Sequence, residues 1–343
     1  MTAAPDQARP AVMTDVAQLA GVSHQTVSRV LNDNPRVHPE TRERVLRAIA
    51  QLGYRRNAMA RGLVSRRSRV LGVVSFDTIL FGPASTLLGI ERAARVAGYG
   101  VSIVTLERVD RTSVLDATNV LADQGVDGVI IIAPQMSAAA ALHNLPNGLV
   151  AVAVEAGHDS ALPSVAVDQV DGARLAVRHL LELGHETVWH IAGPSDWLEA
   201  RDRIEGWRQT LAEAGATVPP VMVGDWSARS GYAAGLALSA IAGVTAVFAG
   251  NDQMALGLLR ALHERGIRVP DDISVVGFDD IPEAEFLLPP LTTVRQDFDE
   301  VGRRSMALLL DLLDSDAGAR TVATPSAVRP TLVLRQSTAP RAG

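Results

Sequence analysis

Hydrophobic residues follow two different rhythms along the 343-residue chain, and the change between them divides it into two parts. Up to about residue 69 the apolar positions recur at helical spacing, whereas after residue 70 short continuous apolar runs alternate with amphipathic stretches. Runs such as VLGVVS, GVIIIA and TAVFAG are typical of parallel strands that helices cover on both faces. The pattern predicts a small all-α head and a large α/β body, in a chain whose length suits two or three domains.

The head contains a predicted helix-turn-helix. Thr14 is expected to cap a first helix, DVAQLA, whose apolar face is Val16, Leu19 and Ala20. Gly21 is expected to end this helix, because glycine readily takes the positive φ of a tight turn. Ser23 is then the predicted N-cap of a second helix, HQTVSRVL. A third helix is predicted in HPETRERVLRAIAQLGY, and a short basic segment follows it.

The second helix has a polar face with many hydrogen-bonding groups. Val27, Val30 and Leu31 are predicted to face the core, which leaves His24, Gln25, Ser28 and Arg29 outside. Gln pairs well with adenine and Arg with guanine or phosphate, so this face is typical of a helix that reads the major groove of DNA. The alternative at this stage is a solvated amphipathic helix in a small bundle.

Charge is distributed unevenly between the two parts. Residues 1–69 hold 12 Arg and 5 acidic residues, whereas residues 70–343 hold 20 Arg and 33 acidic residues, within a net charge of -6. A basic head on an acidic body indicates a nucleic-acid-binding module joined to a domain with a different task.

Several classes of protein are excluded by missing residue types. The sequence has no Cys, which excludes disulfides and thiolate metal sites, and no Lys, which excludes Walker A loops and Schiff-base enzymes. No apolar run reaches a membrane span and the first residues lack a signal core. We therefore expect a cytoplasmic protein that needs no metal or other cofactor and makes no membrane contact.

The polar residues that follow the predicted strands of the body form a candidate binding site. Two successive sets of alternating strands and helices predict two doubly wound parallel sheets, which bind ligands outside the carboxyl ends of their strands. The residues found there are Glu155, Arg203, Trp226, Asn251, Asp279 and Phe298. Carboxylates, an amide, a guanidinium and an indole suit a polyol or sugar. Capping by Asn251 or Asp279, a core role for Trp226 and a surface ion pair for Arg203 are the structural alternatives.

The head motif MTDVAQLAGVSHQTVSRVLN, with ETRERVLRAIAQLGYRRNAMARGL after it, resembles the lactose/galactose-repressor family of bacterial transcription regulators. The resemblance covers nearly the whole chain and implies a two-lobed, periplasmic-binding-protein-like body. It implies a disordered tail at 1–11, a helix-turn-helix domain at 12–56, a hinge helix at 57–69 and a body at 70–340. Lobe 1 would comprise about 70–167 and 297–325, and lobe 2 about 168–294 and 328–340.

The resemblance also assigns roles to residues in the head. His24, Gln25 and Arg29 would face operator bases, with Ser23, Thr26 and Ser28 near phosphates. Arg36 would touch a phosphate, and Thr14 is included in the DNA-binding set. In the hinge, Asn57 and Ala60 would line the minor groove while Leu63 wedges between central base pairs.

In the body, the resemblance places a sugar against Arg203, Trp226, Asn251, Asp279 and Phe298, with Leu80 on its apolar side. Two departures concern this pocket: Glu155 stands where the family member with the most similar motifs has Asp, and Phe76 stands where it has Ser. The expected ligand is a galactoside or another β-glycoside.

The function implied is a repressor that a sugar releases from a pseudo-palindromic, double-stranded operator. A homodimer is expected, because the chain ends soon after TLVLRQSTAPRAG without a leucine-rich tetramerising segment. Three alternatives stay open: a ligand that acts as a corepressor, a sugar-cleft enzyme that uses Glu155 and Asp279, and an exported binding protein. The sequence favours no enzyme, since HETVWH at 185–190 has the wrong spacing for zinc and neither G-x-S-x-G nor G-x-G-x-x-G occurs.

Overall fold

The computed structural model describes residues 11–54, 67–76, 79–106, 111–145, 148–157, 160, 162–315 and 326–341. The chain divides into two compact units, Met1–Ser68 and Arg69–Gly343. The predicted hinge residues Asn57, Ala60 and Leu63, and the predicted disordered tail up to residue 10, lie outside the described residues.

In its described residues, the first unit contains three helices, α1 (Met13–Ala20), α2 (His24–Leu31) and α3 (Pro39–Leu52). Gly21 ends α1 at φ 62°, in the left-handed region that glycine adopts without strain. The three helices pack on one small core formed by Val16, Ala17, Ala20, Val27, Val30, Val45 and Ala48. The helix-turn-helix of the sequence is therefore present.

Two details of α1 differ from the prediction. The helix begins two residues earlier than predicted, so Val12 is the N-cap and its N–H donates to the Asp15 carboxylate at 2.9 Å, while Thr14 lies within the first turn. The buried stripe then follows helical spacing through Val16, Ala17 and Ala20, and Leu19 is 46% exposed. The spacing of Val16, Leu19 and Ala20 predicts one apolar face, but α1 buries the neighbouring stripe that includes Ala17 instead of Leu19.

The second unit contains two sheets. The first includes β1 (Val70–Phe76), β2 (Gly100–Leu106), β3 (Gly128–Ile132), β4 (Ala151–Val154) and β5 (Ser164–Val167), with helices α4 (Phe81–Val96), α5 (Arg111–Asp123) and α6 (Met136–Ala141). The second includes β6 (Trp189–Ala192), β7 (Met222–Val223), β8 (Ala246–Ala249), β9 (Ser274–Asp279) and β10 (Thr292–Arg295). Its helices are α7 (Gln169–Glu182), α8 (Leu198–Glu213), α9 (Ala228–Leu238) and α10 (Asp252–Glu264).

Three late elements complete the two lobes. Helix α11 (Phe298–Asp314) and strand β11 (Ser326–Val328) join the first lobe, and β12 (Thr331–Val333) joins the second. The strand orders are β11-β5-β4-β3-β1-β2 and β12-β10-β9-β8-β6-β7. All pairs are parallel except β10 with β12, so the predicted pair of doubly wound sheets is confirmed.

The chain crosses between the lobes three times: before α7, before α11, and between β11 and β12. The sequence did not predict β11, and Val328 pairs with Val167 in the first sheet although we placed residue 328 in lobe 2. A three-residue strand without an apolar run gives no signal, because its partner strand and not its own side chains determines its position.

Close helix packing positions the second crossing. A Cβ atom on Gly89 of α4 would lie 2.2 Å from the Phe298 carbonyl oxygen, so only glycine allows α4 and α11 to approach this closely. The start of α11 is thereby held against lobe 1. In the described part of the chain, every helix is too short or too polar to cross a bilayer.

Candidate functional site

The outer face of α2 presents its polar side chains to solvent. His24, Gln25 and Arg29 are exposed and Ser28 is half-buried, while Val27 and Val30 anchor the opposite face in the core. Ser23 caps the helix, since its Oγ accepts from the Thr26 N–H at 3.2 Å. The side chains predicted to read the major groove therefore lie together on the exposed face of α2.

Three other polar residues of the head have varied surroundings. Thr14 and Arg36 are exposed, whereas Arg42 of α3 is half-buried. Arg42 donates to the Asp33 carboxylate at 2.7 Å and to the Asn34 carbonyl at 2.9 Å. Arg42 therefore stabilises the turn between α2 and α3. Asp33 in this turn has φ 49°, in the left-handed region that non-glycine residues rarely adopt.

In the body, the carboxyl ends of the two sets of strands enclose a cleft with two compartments. The tryptophan compartment is lined by Leu80, Phe81, Trp197, Trp226, Arg203 and Asp279, among others. The acidic compartment is lined by Glu155, Asp168 and Asp202, among others. Glu199 lines both, so the two compartments adjoin at this side chain.

Arg203 occupies the centre of the cleft and is only 2% exposed. Its Nε donates to Gln169 Oε1 at 2.9 Å, and its Nη1 donates to the Gly250 carbonyl. The guanidinium carbon lies 3.8 Å from the centre of the Phe278 ring, a cation–π contact. Its Nη2 is 3.9 Å from both Glu199 Oε2 and Asp279 Oδ1. The alternative of a surface ion pair is therefore excluded, because Arg203 is a buried and oriented cation.

A buried ring joins Arg203 to Asp279 through two glutamines that the sequence did not single out: three hydrogen bonds run along it, and the 3.9 Å ion pair of Arg203 Nη2 with Asp279 Oδ1 closes it. Gln169 Nε2 donates to Gln296 Oε1 at 2.9 Å, and Gln296 Nε2 donates to Asp279 Oδ1 at 2.6 Å. Gln169 follows the first crossing and Gln296 lies in the second. A signal was present, since Gln296 directly follows β10 and Gln169 comes two residues after β5, but glutamine is common at helix starts and in loops and does not by itself indicate a site.

Trp226 lies at the base of the tryptophan compartment. It is 5% exposed, has φ 70° and packs edge-to-face on Trp197 with ring centres 5.7 Å apart. A Cβ atom on Gly193 would lie 2.1 Å from the indole, so glycine is needed for the ring to enter. The indole Nε1 has no hydrogen-bond partner. Trp226 is therefore both a core aromatic and part of the compartment wall.

Asn251 combines a structural role with a position in the cleft wall. Its Oδ1 accepts from the Met254 N–H at 2.8 Å and caps α10, as one of our two alternatives proposed. Its Nδ2 donates to the Trp226 carbonyl at 3.0 Å. Asn251 fixes the backbone that carries the indole.

Burial shifts the pKa of the acids in the cleft. Desolvation, with the Glu199 charge as a second cause, raises the pKa of Glu155 to about 8. Desolvation also raises the pKa of Asp279 to about 7, against the lowering effect of Arg203, and raises the pKa of Glu199. The site contains more carboxylates than its single guanidinium can neutralise.

Not every predicted contact reaches the cleft. Phe76 is 1% exposed and packs inside the core of lobe 1, and it lines neither compartment, because the residue ends β1 with its ring turned into the sheet's helical cover. Leu80 is half-buried against the core of lobe 2. Phe298 lines neither compartment and is half-buried, edge-to-face with Phe81 with ring centres 5.9 Å apart. Glu155 faces the acidic compartment and accepts from the Val167 N–H at 3.0 Å.

The two histidines of HETVWH have structural surroundings. His190 is fully buried, its Nδ1 lies 2.9 Å from the Phe248 carbonyl oxygen, and burial lowers its pKa to about 4. His185 Nδ1 lies 3.0 Å from Thr245 Oγ1. Among the described residues, no group of three or more His, Asp or Glu side chains has the arrangement of a metal site.

The fold and the cleft together define a class: a helix-turn-helix head joined to a two-lobed body that holds a small ligand between its lobes. Comparison with known families agrees for both parts. Residues 12–57 match the bacterial regulatory proteins of the lacI family, and residues 177–338 match the periplasmic binding protein-like domain.

Similar proteins were found among curated sequences and solved structures. The lactose operon repressor of Escherichia coli (strain K12) is 37% identical over 90% of this chain and 86% of its own length. The transcriptional regulator CelR of Thermobifida fusca is 37% identical over 88% of this chain and 91% of its own. A crystal structure of the Lac repressor dimer bound to operator and the anti-inducer ONPF has a TM-score of 0.85 at 36% identity, covering 96% of this chain and all of that one. The chain belongs to the lacI family and is a DNA-binding transcriptional regulator.

Proposed function

We propose that this regulator represses sugar-utilisation genes and is released from its operator by a sugar bound in the cleft, a galactoside or another β-glycoside. The observation that carries the proposal is the buried ring of Arg203, Gln169, Gln296 and Asp279. Fixed donors and acceptors beside an indole suit a hydroxylated ring. The solved complex of CelR with cellobiose, 33% identical at a TM-score of 0.69, supports a sugar as ligand.

In the head, the exposed face of α2 is proposed to read the operator. His24, Gln25 and Arg29 contact base edges, and Ser23, Thr26, Ser28, Arg36 and Thr14 lie at or near phosphates. The capped N-terminus of α2 favours this, because a helix start attracts the negative charge of the DNA backbone. The hinge residues Asn57, Ala60 and Leu63 complete the interface in the minor groove.

The functional unit is proposed to be a homodimer on a pseudo-palindromic operator. Two copies related by a two-fold axis present two heads to two half-sites. The solved Lac repressor bound to operator is a dimer, which supports this assembly. A regulator of this kind works in the cytoplasm, where the DNA is.

The switch is proposed to act through the three crossings between the lobes. A sugar that contacts Arg203 and Asp279 favours one angle between the lobes, because both residues are bonded to glutamines beside or in crossings. The start of the body at Arg69 then moves and separates the hinge segments of the dimer. For this switch, the sugar must bind one arrangement of the two lobes more tightly than the other by only ~1–3 kcal/mol.

One experiment tests operator binding, the identity of the ligand, and whether the ligand weakens or strengthens operator binding. DNA from the region upstream of the gene is titrated with the protein in a gel shift, without and with lactose, cellobiose and monosaccharides. We expect a retarded complex that a sugar disperses and whose affinity falls steeply as salt rises. Tighter binding with sugar would establish corepression instead, and no complex at any salt would refute the operator-binding function.

Variants separate the two halves of the function. Gln25→Ala is expected to weaken operator binding and spare sugar binding, and Leu63→Ala is expected to do the same through the hinge. The enzyme alternative is tested with a chromogenic β-glycoside, which we expect to remain intact. Hydrolysis by the protein that is lost in the Glu155→Gln variant would favour the enzyme alternative.

A further inference from the structure

The turn that follows β9 has an unfavourable backbone conformation. Asp279, the last residue of β9, has φ 109°, and Asp280 has φ 55°. Residues other than glycine rarely adopt a positive φ, and they keep it only where the surrounding contacts impose it. Asp279 lines the tryptophan compartment, whereas Asp280 lines neither compartment. The contacts that hold this turn therefore determine how one carboxylate is presented to the cleft.

The carboxylate of Asp280 lies between two guanidinium groups. Arg295 Nε donates to Asp280 Oδ2 at 2.6 Å. Arg335 Nη2 lies 2.7 Å from Asp280 Oδ1, an ion pair whose angles are not those of a hydrogen bond. The Asp280 side chain is only 6% exposed, so water screens these pairs less than it screens pairs on the surface. Each oxygen of Asp280 thus has a cationic partner.

The two arginines attach Asp280 to both ends of the neighbouring strand. Arg295 is the last residue of β10 and directly precedes Gln296 in the second crossing. Arg335 Nη1 donates to the carbonyl of Leu291, just before β10 begins, at 2.8 Å. The position of Asp280 is therefore fixed relative to β10 and to the start of the second crossing.

A separate contact holds the backbone that follows the turn. The N–H of Ile281 donates to Asp252 Oδ2 at 2.9 Å, and Thr293 Oγ1 donates to Asp252 Oδ1 at 2.6 Å. Asp252 is fully buried, and a Cβ atom on Gly277 would lie 2.1 Å from its Oδ1. Asp252 therefore anchors the turn through its backbone, whereas Asp280 anchors it through a side chain.

The placement of Asp279 depends on this turn. Its Oδ1 accepts from Gln296 Nε2 at 2.6 Å and lies 3.9 Å from Arg203 Nη2. A side chain that binds a ligand must be held within about 0.5 Å of its productive position. A turn in a strained conformation relaxes when its supporting contacts are removed, and the carboxylate of Asp279 then moves with it.

We propose that Asp280 is a positioning residue of the ligand site. Asp280 does not touch the ligand; its pairs with Arg295 and Arg335 hold the turn that places Asp279 in the cleft. Loss of the Asp280 charge then lowers the affinity for the ligand without removing a ligand contact. This inference rests on the proposed function, in which Asp279 contacts a sugar.

The test compares Asp280→Asn with the unmodified full-length protein. Asparagine keeps the side-chain volume and tolerates the left-handed conformation, but it lacks the charge. Sugar binding is measured by tryptophan fluorescence with lactose and with cellobiose, and operator binding is measured by gel shift without sugar. We expect the Kd of the sugar that binds to rise at least about tenfold, while operator affinity stays within about twofold. A general loss of structure would weaken both.

Asp272→Asn is the matched control. Arg268 contacts both oxygens of Asp272, with Nε at 3.0 Å and Nη2 at 2.6 Å, in the same lobe but in neither compartment. This exposed pair is expected to change sugar affinity by less than about twofold when it is lost.

Arg295→Gln removes one partner of Asp280 from its more exposed side, since the Arg295 side chain is 55% exposed. It is expected to weaken sugar binding as Asp280→Asn does. In the double variant the loss of affinity is expected to be smaller than the product of the two single losses, because both variants break the same pair.

A second measurement does not depend on the sugar. Hydrogen exchange at the Ile281 amide, which donates to Asp252, is expected to accelerate at least about fivefold in Asp280→Asn and to stay unchanged in Asp272→Asn. Unchanged exchange at Ile281, or sugar affinity within about twofold of the unmodified protein, would overturn the role of Asp280. If the unmodified protein binds neither sugar, the sugar class of the ligand is refuted, and exchange at Ile281 alone then supports or overturns the role of Asp280 in the turn.

Discussion

The strongest test of the site is a double-mutant cycle on the two glutamines that link the crossings. Gln169→Ala removes the acceptor of Arg203 Nε and the donor to Gln296; Gln296→Ala removes the acceptor of Gln169 and the donor to Asp279. Each variant breaks two buried hydrogen bonds, one of them to a charged group. The bond between the glutamines is common to both.

The magnitudes follow from this connectivity. A hydrogen bond to a charged group contributes about 1.5–3 kcal/mol and a neutral one about 1 kcal/mol, so each single variant is expected to lose about 2.5–4 kcal/mol. In the double variant the shared bond is lost once and not twice. The double variant is therefore expected to be about 1 kcal/mol more stable than the sum of the single effects predicts.

The assay uses the natural fluorescence of the second lobe. All four tryptophans, Trp189, Trp197, Trp207 and Trp226, lie in that lobe, so urea unfolding followed by tryptophan emission reports on it without a signal from the head. Gln209→Ala is the matched control, since Gln209 makes an exposed hydrogen bond to Glu205 at 2.7 Å and its loss is expected to cost less than about 0.5 kcal/mol. A coupling energy of zero between Gln169 and Gln296 would show that the ring does not exist.

Three further predictions concern the ligand, the head and pH. Arg203→Ala is expected to leave operator affinity within about twofold while abolishing dispersal of the complex by sugar in a gel shift; a retained response would place the pocket elsewhere. Ser23→Ala is expected to cost about 1 kcal/mol of local stability, so hydrogen exchange at the Thr26 amide accelerates about fivefold, and unchanged exchange would contradict the cap. Because burial raises the pKa of Glu155 and of Asp252 to about 8, the folded body keeps protons that the unfolded chain releases, and the free energy of unfolding falls as pH rises from about 6.5 to about 8. A urea midpoint that rises over this pH interval would refute the raised pKa values of these two acids.

Much of the fold was accessible from hydrophobic periodicity. The parallel strands are continuous apolar runs because both faces of each sheet are covered, and such runs are visible without a structure. The capped, polar-faced α2 was equally visible, since Ser23 and the valine spacing are local features. By contrast, Thr14 is not the cap because the start of α1 depends on Asp15 bonding back to Val12, and Leu19 is exposed because packing on α2 and α3 determines which stripe of α1 is buried.

The candidate site was predicted in part. The strand-end rule located Arg203, Trp226, Asn251 and Asp279, because the ends of parallel strands converge wherever such sheets form. Phe76 was misassigned, since the direction of a side chain at a strand end depends on twist and on the neighbouring helices. The division of the acids between two compartments depends on how the lobes face each other.

The sequence by itself determined the class of protein: two units of opposite charge, a helix-turn-helix, and two wound sheets with polar residues at their strand ends. These depend on local rhythm and on composition, which the chain carries residue by residue. The tertiary structure alone decided that Gln169 and Gln296 meet between the lobes and that Glu199 stands between two compartments. Gln169 and Gln296 are 127 positions apart and come into contact only because the three crossings bring the two sheets together. A contact between residues so far apart leaves no local pattern in the sequence.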